Sequence, residues 1–226
     1  MYYYLLLVVP ALLVAMIAQI NVKSTFRRYS RYSTAARITG AQASYMIQKA
    51  NGISVPVQPI GGELTDHYDP TCNSIGLSQP VYGADSIAAV GVAAHETGHA
   101  LQYANDYAPI RFRMKLVPIT NFSATISPYL IIAGLIAGLD VLAYAGIALF
   151  SLSVLFQLVT LPVEFNASAR AVQALQASGS FTAEEMAGVR KVLTAAALTY
   201  VAALFVSLMN LLRLILIVAG RGRRND

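Results

Sequence analysis

Three histidines are all that the 226-residue chain contains, and His67, His95 and His99 lie together in one polar stretch. Two of them belong to His95-Glu96-Thr97-Gly98-His99, an H-E-x-x-H pattern. On a helix, residues four apart share a face. Both imidazoles can then bind one Zn²⁺ at about 2.0–2.1 Å. Glu96, one position on, can reach water at the ion. The metal brings the pKa of such water toward about 7, and the carboxylate accepts its proton as the water attacks a peptide carbonyl. Chance occurrence is the competing reading. It fits poorly with a chain that has so few histidines and places the pattern in an Ala-rich helical stretch, AVGVAAHETGHALQ.

A catalytic zinc usually takes three protein ligands and keeps one position for water. Most of the eleven acids are poor candidates for the third. Asp140 falls between two apolar runs, Asp226 is terminal, and Glu184 and Glu185 read as solvated charges of a helix's first turn. Glu164 and His67 remain. Glu164 sits in LPVEFNASARAV, directly after a long apolar block, where Pro162 can open a helix. Glu164 and Ser168 then share a face, and Ser168 can hydrogen-bond a ligating imidazole. The plain alternative is an exposed acid favoured by the helix dipole. His67, in ELTDHYDPT, competes as a ligand, as a donor to the developing oxyanion, or as a turn residue held by Asp66 and Asp69. Of the two, Glu164 is favoured as the ligand. Arg170 either pairs with a carboxylate near the site or is solvated. The run 74–82 (SIGLSQPVY) reads as a strand, and beside the metal it could hold an extended substrate by strand addition.

These groups need a scaffold, and the composition says which kind. Hydrophobic residues make up 56% of the chain and charged residues 12%, about half the roughly 25% of a soluble domain. Mean hydropathy is +0.56. This excludes a disordered chain. The net charge of +5 comes from basic residues that mostly flank apolar runs, so it reads as membrane orientation and not as nucleic-acid binding. A lone Cys72 excludes an intrachain disulfide framework.

Residues 2–20 are uncharged and long enough to span a bilayer. Without a basic segment before them they read as an uncleaved anchor. Residues 21–37 carry five bases and no acid, which places them in the cytoplasm. An amphipathic helix is expected over 34–52, a small antiparallel sheet over 53–82, and a helix capped by Ser86 over 86–106. From 116 to 163 the only charge is Asp140, which suggests two spans, roughly 118–138 and 141–161. Thr182 and Glu185 offer a capping box. The last apolar run, 192–219, is followed by Arg221, Arg223 and Arg224, whose charge conflicts with a simple fourth crossing.

The expected fold is a mainly α integral membrane protein with three to four transmembrane helices. A cytoplasmic zincin-like α+β catalytic domain carries the small sheet. The expected layout is an anchor at 1–21, a cytoplasmic catalytic part with the H-E-x-x-H helix at 22–115 and a transmembrane hairpin at 116–162. Cytoplasmic helices with the third ligand follow at 163–192, then a membrane segment with a basic tail at 193–226.

The stretches TDHYDP (65–70), GLSQPVYGADSIAAVGVAAHETGHALQ (76–102) and LPVEFNASARA (161–171) together resemble the YugP-like membrane zinc peptidases, bacterial neutral zinc metallopeptidases. The resemblance extends over most of the chain. It implies a gluzincin-type site with His95, His99 and Glu164 on Zn²⁺ and Glu96 as base. It also implies a multi-pass protein of the bacterial plasma membrane. The wider group related to the heat-shock protease HtpX is similar in layout, with H-E-x-x-H, a membrane hairpin and then E-x-x-A-D. Here Ser168 takes the place of that Asp, and a neutral hydroxyl supports an imidazole less strongly. The partners expected are a protein or peptide substrate and the lipid bilayer, with no nucleic acid, and with room for an oligomer or a membrane-protein partner. The rival readings are a membrane scaffold whose structural zinc would need both His67 and Glu164, and a subunit whose zinc site is dormant until a partner arrives.

Overall fold

A computed structural model describes residues 2–225, with the side chains from Arg221 onward left aside; Asp226 lies outside the described residues. These residues form seven α-helices and three strands in the order α1 (Val9–Tyr29), α2 (Gly40–Ala50), β1 (Val57–Ile60), β2 (His67–Asp69), β3 (Ser74–Ser78), α3 (Gln79–Tyr82), α4 (Ile87–Ala104), α5 (Ala108–Ala137), α6 (Asp140–Ala177) and α7 (Ala183–Asn225). A π-helical turn, Tyr4–Val8, leads into α1 just before Pro10, whose missing N–H interrupts the regular ladder. The chain divides into two compact units.

The first unit comprises Met1–Gln19, Arg111–Leu161 and Thr199–Asp226. Among the described residues four helices are, by length and composition, long and apolar enough to cross a membrane: Tyr4–Tyr29, Ala108–Ala137, Asp140–Ala177 and Ala183–Gly220. The α5–α6 turn closes on Gly138, whose φ of +72° places it in the left-handed region. The Leu139 N–H then donates to the Gly134 carbonyl at 2.9 Å. A Cβ on Gly134 would lie 2.5 Å from the Ala143 nitrogen, and one on Gly146 would lie 2.6 Å from Ile131. The two helices therefore pack through small residues, as helices in lipid commonly do. Ile131, Ala143 and Ile147 complete the core with Leu214 and Val218 of α7.

Both hairpin helices run past the spans expected from hydropathy. α5 contains Pro118 and Pro128, and α6 contains Pro162. Pro162 thus does not open a helix. A ring with φ near −65° fits a helix already under way at the loss of one backbone bond. Glu164 therefore sits inside a continuous 38-residue helix and is no helix-start acid.

The second unit comprises Ile20–Ile110 and Pro162–Leu198. α4 is its centre, buried along nearly its whole length. Its alanines and glycines make that possible. One side of α4 (Ala88, Ala89, Ala93, Ala100) joins a core with Val57, Ile75 and Leu77 of the sheet. Another (Val90, Ala94, Leu101) packs with Ala43 and Ile47 of α2 and with Ala171 and Leu175 of α6. Ser86 caps α4 as expected, its Oγ accepting the Ala89 N–H at 3.2 Å. α2 is shorter than expected and starts at a capping box of Thr39 and Gln42.

The sheet is mixed, not antiparallel. Its order is β1-β3-β2, with β1 parallel and β2 antiparallel to β3. Short β-branched runs carry no record of which side of a neighbour the chain takes. The loop after β1, with Gly62 and Leu64 at positive φ, carries β2 to the far side of β3. The run 74–82 is a strand only to Ser78, and Pro80 lies in the short helix α3.

The capping box at α7 forms: Thr182 Oγ1 accepts the Glu185 N–H at 3.2 Å and Glu185 Oε2 accepts the Thr182 N–H at 2.7 Å. Glu185 is nevertheless buried and not solvated, because its other oxygen accepts the Ala35 N–H at 2.6 Å. One carboxylate thus serves two distant segments. Glu185→Ala should lower stability by about 2 kcal/mol. Glu185→Gln, which keeps one acceptor oxygen, should lose less. Thermal unfolding of the detergent-purified chain checks the order, and equal midpoints for both would show that the bridge contributes little.

Candidate metal centre

His95 and His99 project from one face of α4, one turn apart, with their rings edge to face and centroids 4.7 Å apart. Glu164 reaches them from α6. Its Oε2 lies 3.2 Å from His95 Nε2 and 3.5 Å from His99 Nε2. The three ligand atoms lie within 4.8 Å of one another. A tetrahedral ion with bonds of about 2.0–2.1 Å holds its ligand atoms about 3.3–3.4 Å apart. The two carboxylate distances straddle that spacing.

Hydrogen bonding behind the rings shows what the three atoms are set up to hold. Gln102 Nε2 donates to the Val163 carbonyl at 2.8 Å and to Asn166 Oδ1 at 3.0 Å. Its Oε1 therefore faces His99 Nδ1, at 3.0 Å, as an acceptor. Nδ1 must carry the proton, and in the neutral ring Nε2 presents a lone pair to the Glu164 oxygen. Lone pair against carboxylate is repulsive unless a cation lies between them. His95 is backed by Ser168, with Nδ1 and Oγ 3.1 Å apart. The donor set fits zinc: two imidazole nitrogens and one carboxylate oxygen, each ring held from behind. The same field acts on protons. Burial alone would lower the pKa of His99, but the hydrogen bond to Glu164 and the charges of Glu96 and Glu164 outweigh it and hold the pKa above the ordinary imidazole value.

Glu96 is buried next to His95, and its carboxylate accepts no hydrogen bond among the described residues. Side-chain exposure is 14% for His95, 9% for His99 and 3% for Glu164, so the site is open on the His95 side. His67 does not join the group of three. It opens β2, exposed, with Nδ1 2.9 Å from the Thr65 carbonyl and Gly76 opposite it in register. Its neighbour Asp66 accepts the Ser78 N–H at 2.7 Å and the Ser78 hydroxyl at 3.0 Å, which ties this loop to the end of β3. Burial pushes the Asp66 carboxyl above its usual range despite those bonds.

Two expectations require correction. Arg170 pairs with an amide and not a carboxylate: its Nε donates to Asn166 Oδ1 at 2.8 Å, and its guanidinium lies over Tyr107. β3 cannot take an added substrate strand, because β1 and β2 already occupy both its edges.

Beyond Ser168 and Arg170, the sequence alone does not single out the residues that position the site. Gln102, Asn166 and Arg170 form one chain of bonds between α4 and α6. Thr97 is held on the other side: it donates to the Ala93 carbonyl at 2.7 Å and lies 2.7 Å from the Ser44 hydroxyl. Ser44 accepts from Gln48, which in turn accepts the Val55 N–H. The most demanding position is Gly98. A Cβ there would lie 2.5 Å from the Ala167 carbonyl oxygen. The helices carrying the ligands meet with no side chain between them, and only the small residues of H-E-T-G-H hinted at it.

Gly98→Ala should therefore push α4 from α6 and lower the zinc content of the purified protein. Gly91→Ala on the same helix should not, since a Cβ there meets nothing nearer than 3.5 Å. Metal analysis at equal helical content compares the two. Equal zinc in both would mean that the close approach at Gly98 is not what sets the ligand spacing.

The family model described as "Putative neutral zinc metallopeptidase" matches residues 4–219. A relative from Bacillus subtilis (strain 168), called "Putative membrane protease YugP", is 47% identical over 215 residues, covering 95% of this chain and 96% of its own length. No solved structure matches the chain. With the match running through both units, the helix bearing His95 and His99 and the helix bearing Glu164, the chain belongs to the family described as "Putative neutral zinc metallopeptidase".

Proposed function

We propose that the chain is a membrane-embedded zinc endopeptidase that hydrolyses peptide bonds on the cytoplasmic side of the bacterial plasma membrane. The observation that carries this reading is the convergence of His95, His99 and Glu164, with the Glu164 oxygen 3.2 and 3.5 Å from the two imidazole nitrogens and Glu96 beside them. Zinc held by these three residues would supply Lewis acidity, polarising the scissile carbonyl and acidifying water. Glu96 takes the proton from the attacking water and passes it to the nitrogen of the departing amine. Gln102 and Ser168 fix the orientation of the two imidazoles throughout. His67, exposed at the start of β2 and anchored through Asp66, supplies a hydrogen bond to the oxygen that gains charge. The cytoplasmic assignment rests on Lys23, Arg27, Arg28 and Arg31 at the end of α1. On this reading 22–115 and 163–192 form the catalytic part, and 1–21, 116–162 and 193–226 the membrane segments. Unfolded or membrane-anchored polypeptides are the natural substrates.

A closed structural site would need a fourth protein ligand. Among the described residues the converging group has three members. This favours the catalytic reading over a scaffold.

Glu96→Gln should keep its zinc while cleavage of a casein-like substrate falls by about 10²–10⁴-fold. Wild-type turnover in that variant ends the mechanism. Glu164→Ala should lose zinc. His67→Ala should keep zinc and lose kcat by about 10²–10³-fold. The reverse pattern, with zinc lost in His67→Ala and kept in Glu164→Ala, would reassign the third ligand.

A further inference from the structure

Six of the nine lysines and arginines of the second unit fall into two groups. Lys23, Arg27, Arg28 and Arg31 lie along the last turns of α1 and just beyond, and Arg190 and Lys191 lie near the start of α7. All six are exposed. A groove of about 500 Å³ is lined by the four α1-side cations. A second groove, of about 380 Å³, is lined by Arg28, Arg190 and Lys191. Arg28 lines both, so residues about 160 positions apart in the chain form one patch. Among the described residues no acid lines either groove. Asp85, whose partner Ser33 follows the first groove's Arg31 and Tyr32 in the chain, is engaged by Arg37 at 3.1 Å and by the Ser33 hydroxyl at 2.9 Å.

Six like charges held together repel one another and call for an anion. The apolar lining says which anion. Ile20 borders the first groove and Leu198 the second, exposed by 59% and 46%. Each belongs to a helix long and apolar enough to cross a membrane. Basic clusters at the ends of such helices recognise anionic headgroups, and guanidinium forks pair with phosphate through two parallel bonds. A free phosphate would need the cations but not the flanking hydrocarbon.

We infer that the two grooves joined at Arg28 form a binding site for the phosphodiester headgroup of an anionic glycerophospholipid, its acyl chains running along Ile20 and Leu198. None of the residues lining the two grooves belongs to the group His95, His99 and Glu164.

The test uses the full chain extracted from membranes into a neutral detergent and mixed with equal phosphatidylglycerol and phosphatidylcholine. Retained lipid is counted by native mass spectrometry. Phosphatidylglycerol should be enriched over phosphatidylcholine, and Arg190→Gln/Lys191→Gln should reduce the enrichment by about tenfold. That pair leaves the charges flanking α1 intact, so orientation in the membrane is not disturbed. Arg27→Gln/Arg31→Gln, on the other groove, reads the same loss if the first pair folds poorly. Unaltered enrichment in a folded variant overturns the proposal. Displacement of the lipid by an equal concentration of inorganic phosphate overturns it too, since the site would then belong to the free ion.

Discussion

Where α4 crosses α6, a carbonyl oxygen of one helix occupies the space in which the other would place a β-carbon. Gly98 permits this approach against Ala167, and three ligand atoms fall within a coordination sphere because of it. An imidazole on a helix reaches only so far, and a glutamate no farther. Backbones a full side chain farther apart would leave His99 and Glu164 too distant for a shared ion. The surrounding alanines of α4 extend the approach along the helix, so the whole element is buried without bulky packing. The cost is that α4 has little hydrophobic bulk of its own. It is held largely by neighbours on several sides and by polar bonds at Thr97 and Gln102.

Those polar bonds are buried, and a buried polar group stabilises only when satisfied. Here each acceptor and donor has a defined role. Gln48 links Ser44 to the strand entry at Val55, Ser44 meets Thr97, and Gln102 joins Asn166 and the Val163 carbonyl. The face of α4 that carries His95 and His99 is thus set from two directions, and rotation of the helix about its axis would break bonds on both.

Much of this was legible in the residues alone. The H-E-x-x-H spacing puts two imidazoles on one helix face, Ser86 marks where that helix begins, and the spacing of Glu164 and Ser168 puts both toward that imidazole pair. Local rules suffice for such features. The illegible parts depend on encounters between distant segments. Nothing near Gln102 announces Asn166, 64 positions on. Nothing near Glu185 announces the Ala35 N–H, 150 positions away, which turns an apparent surface acid into a buried one. The mixed sheet escaped for a related reason, since strand runs specify pairing but not the side on which a chain returns. Pro162 is ambiguous in sequence because a proline that can start a helix can also continue one, as it does in α6.

The two imidazoles have backing groups of different stiffness. An amide anchored by two bonds to α6 cannot turn without losing both, so the His99 ring is clamped in plane and tautomer. A serine hydroxyl swings freely about its own Cβ–Oγ axis and can follow a tilting ring, so His95 retains play. Compliance in the coordination shell is therefore concentrated on the ligand nearest solvent. Any change of bond angles as a guest arrives or departs is absorbed there, while the deeper pair of His99 and Glu164 acts as the rigid jaw.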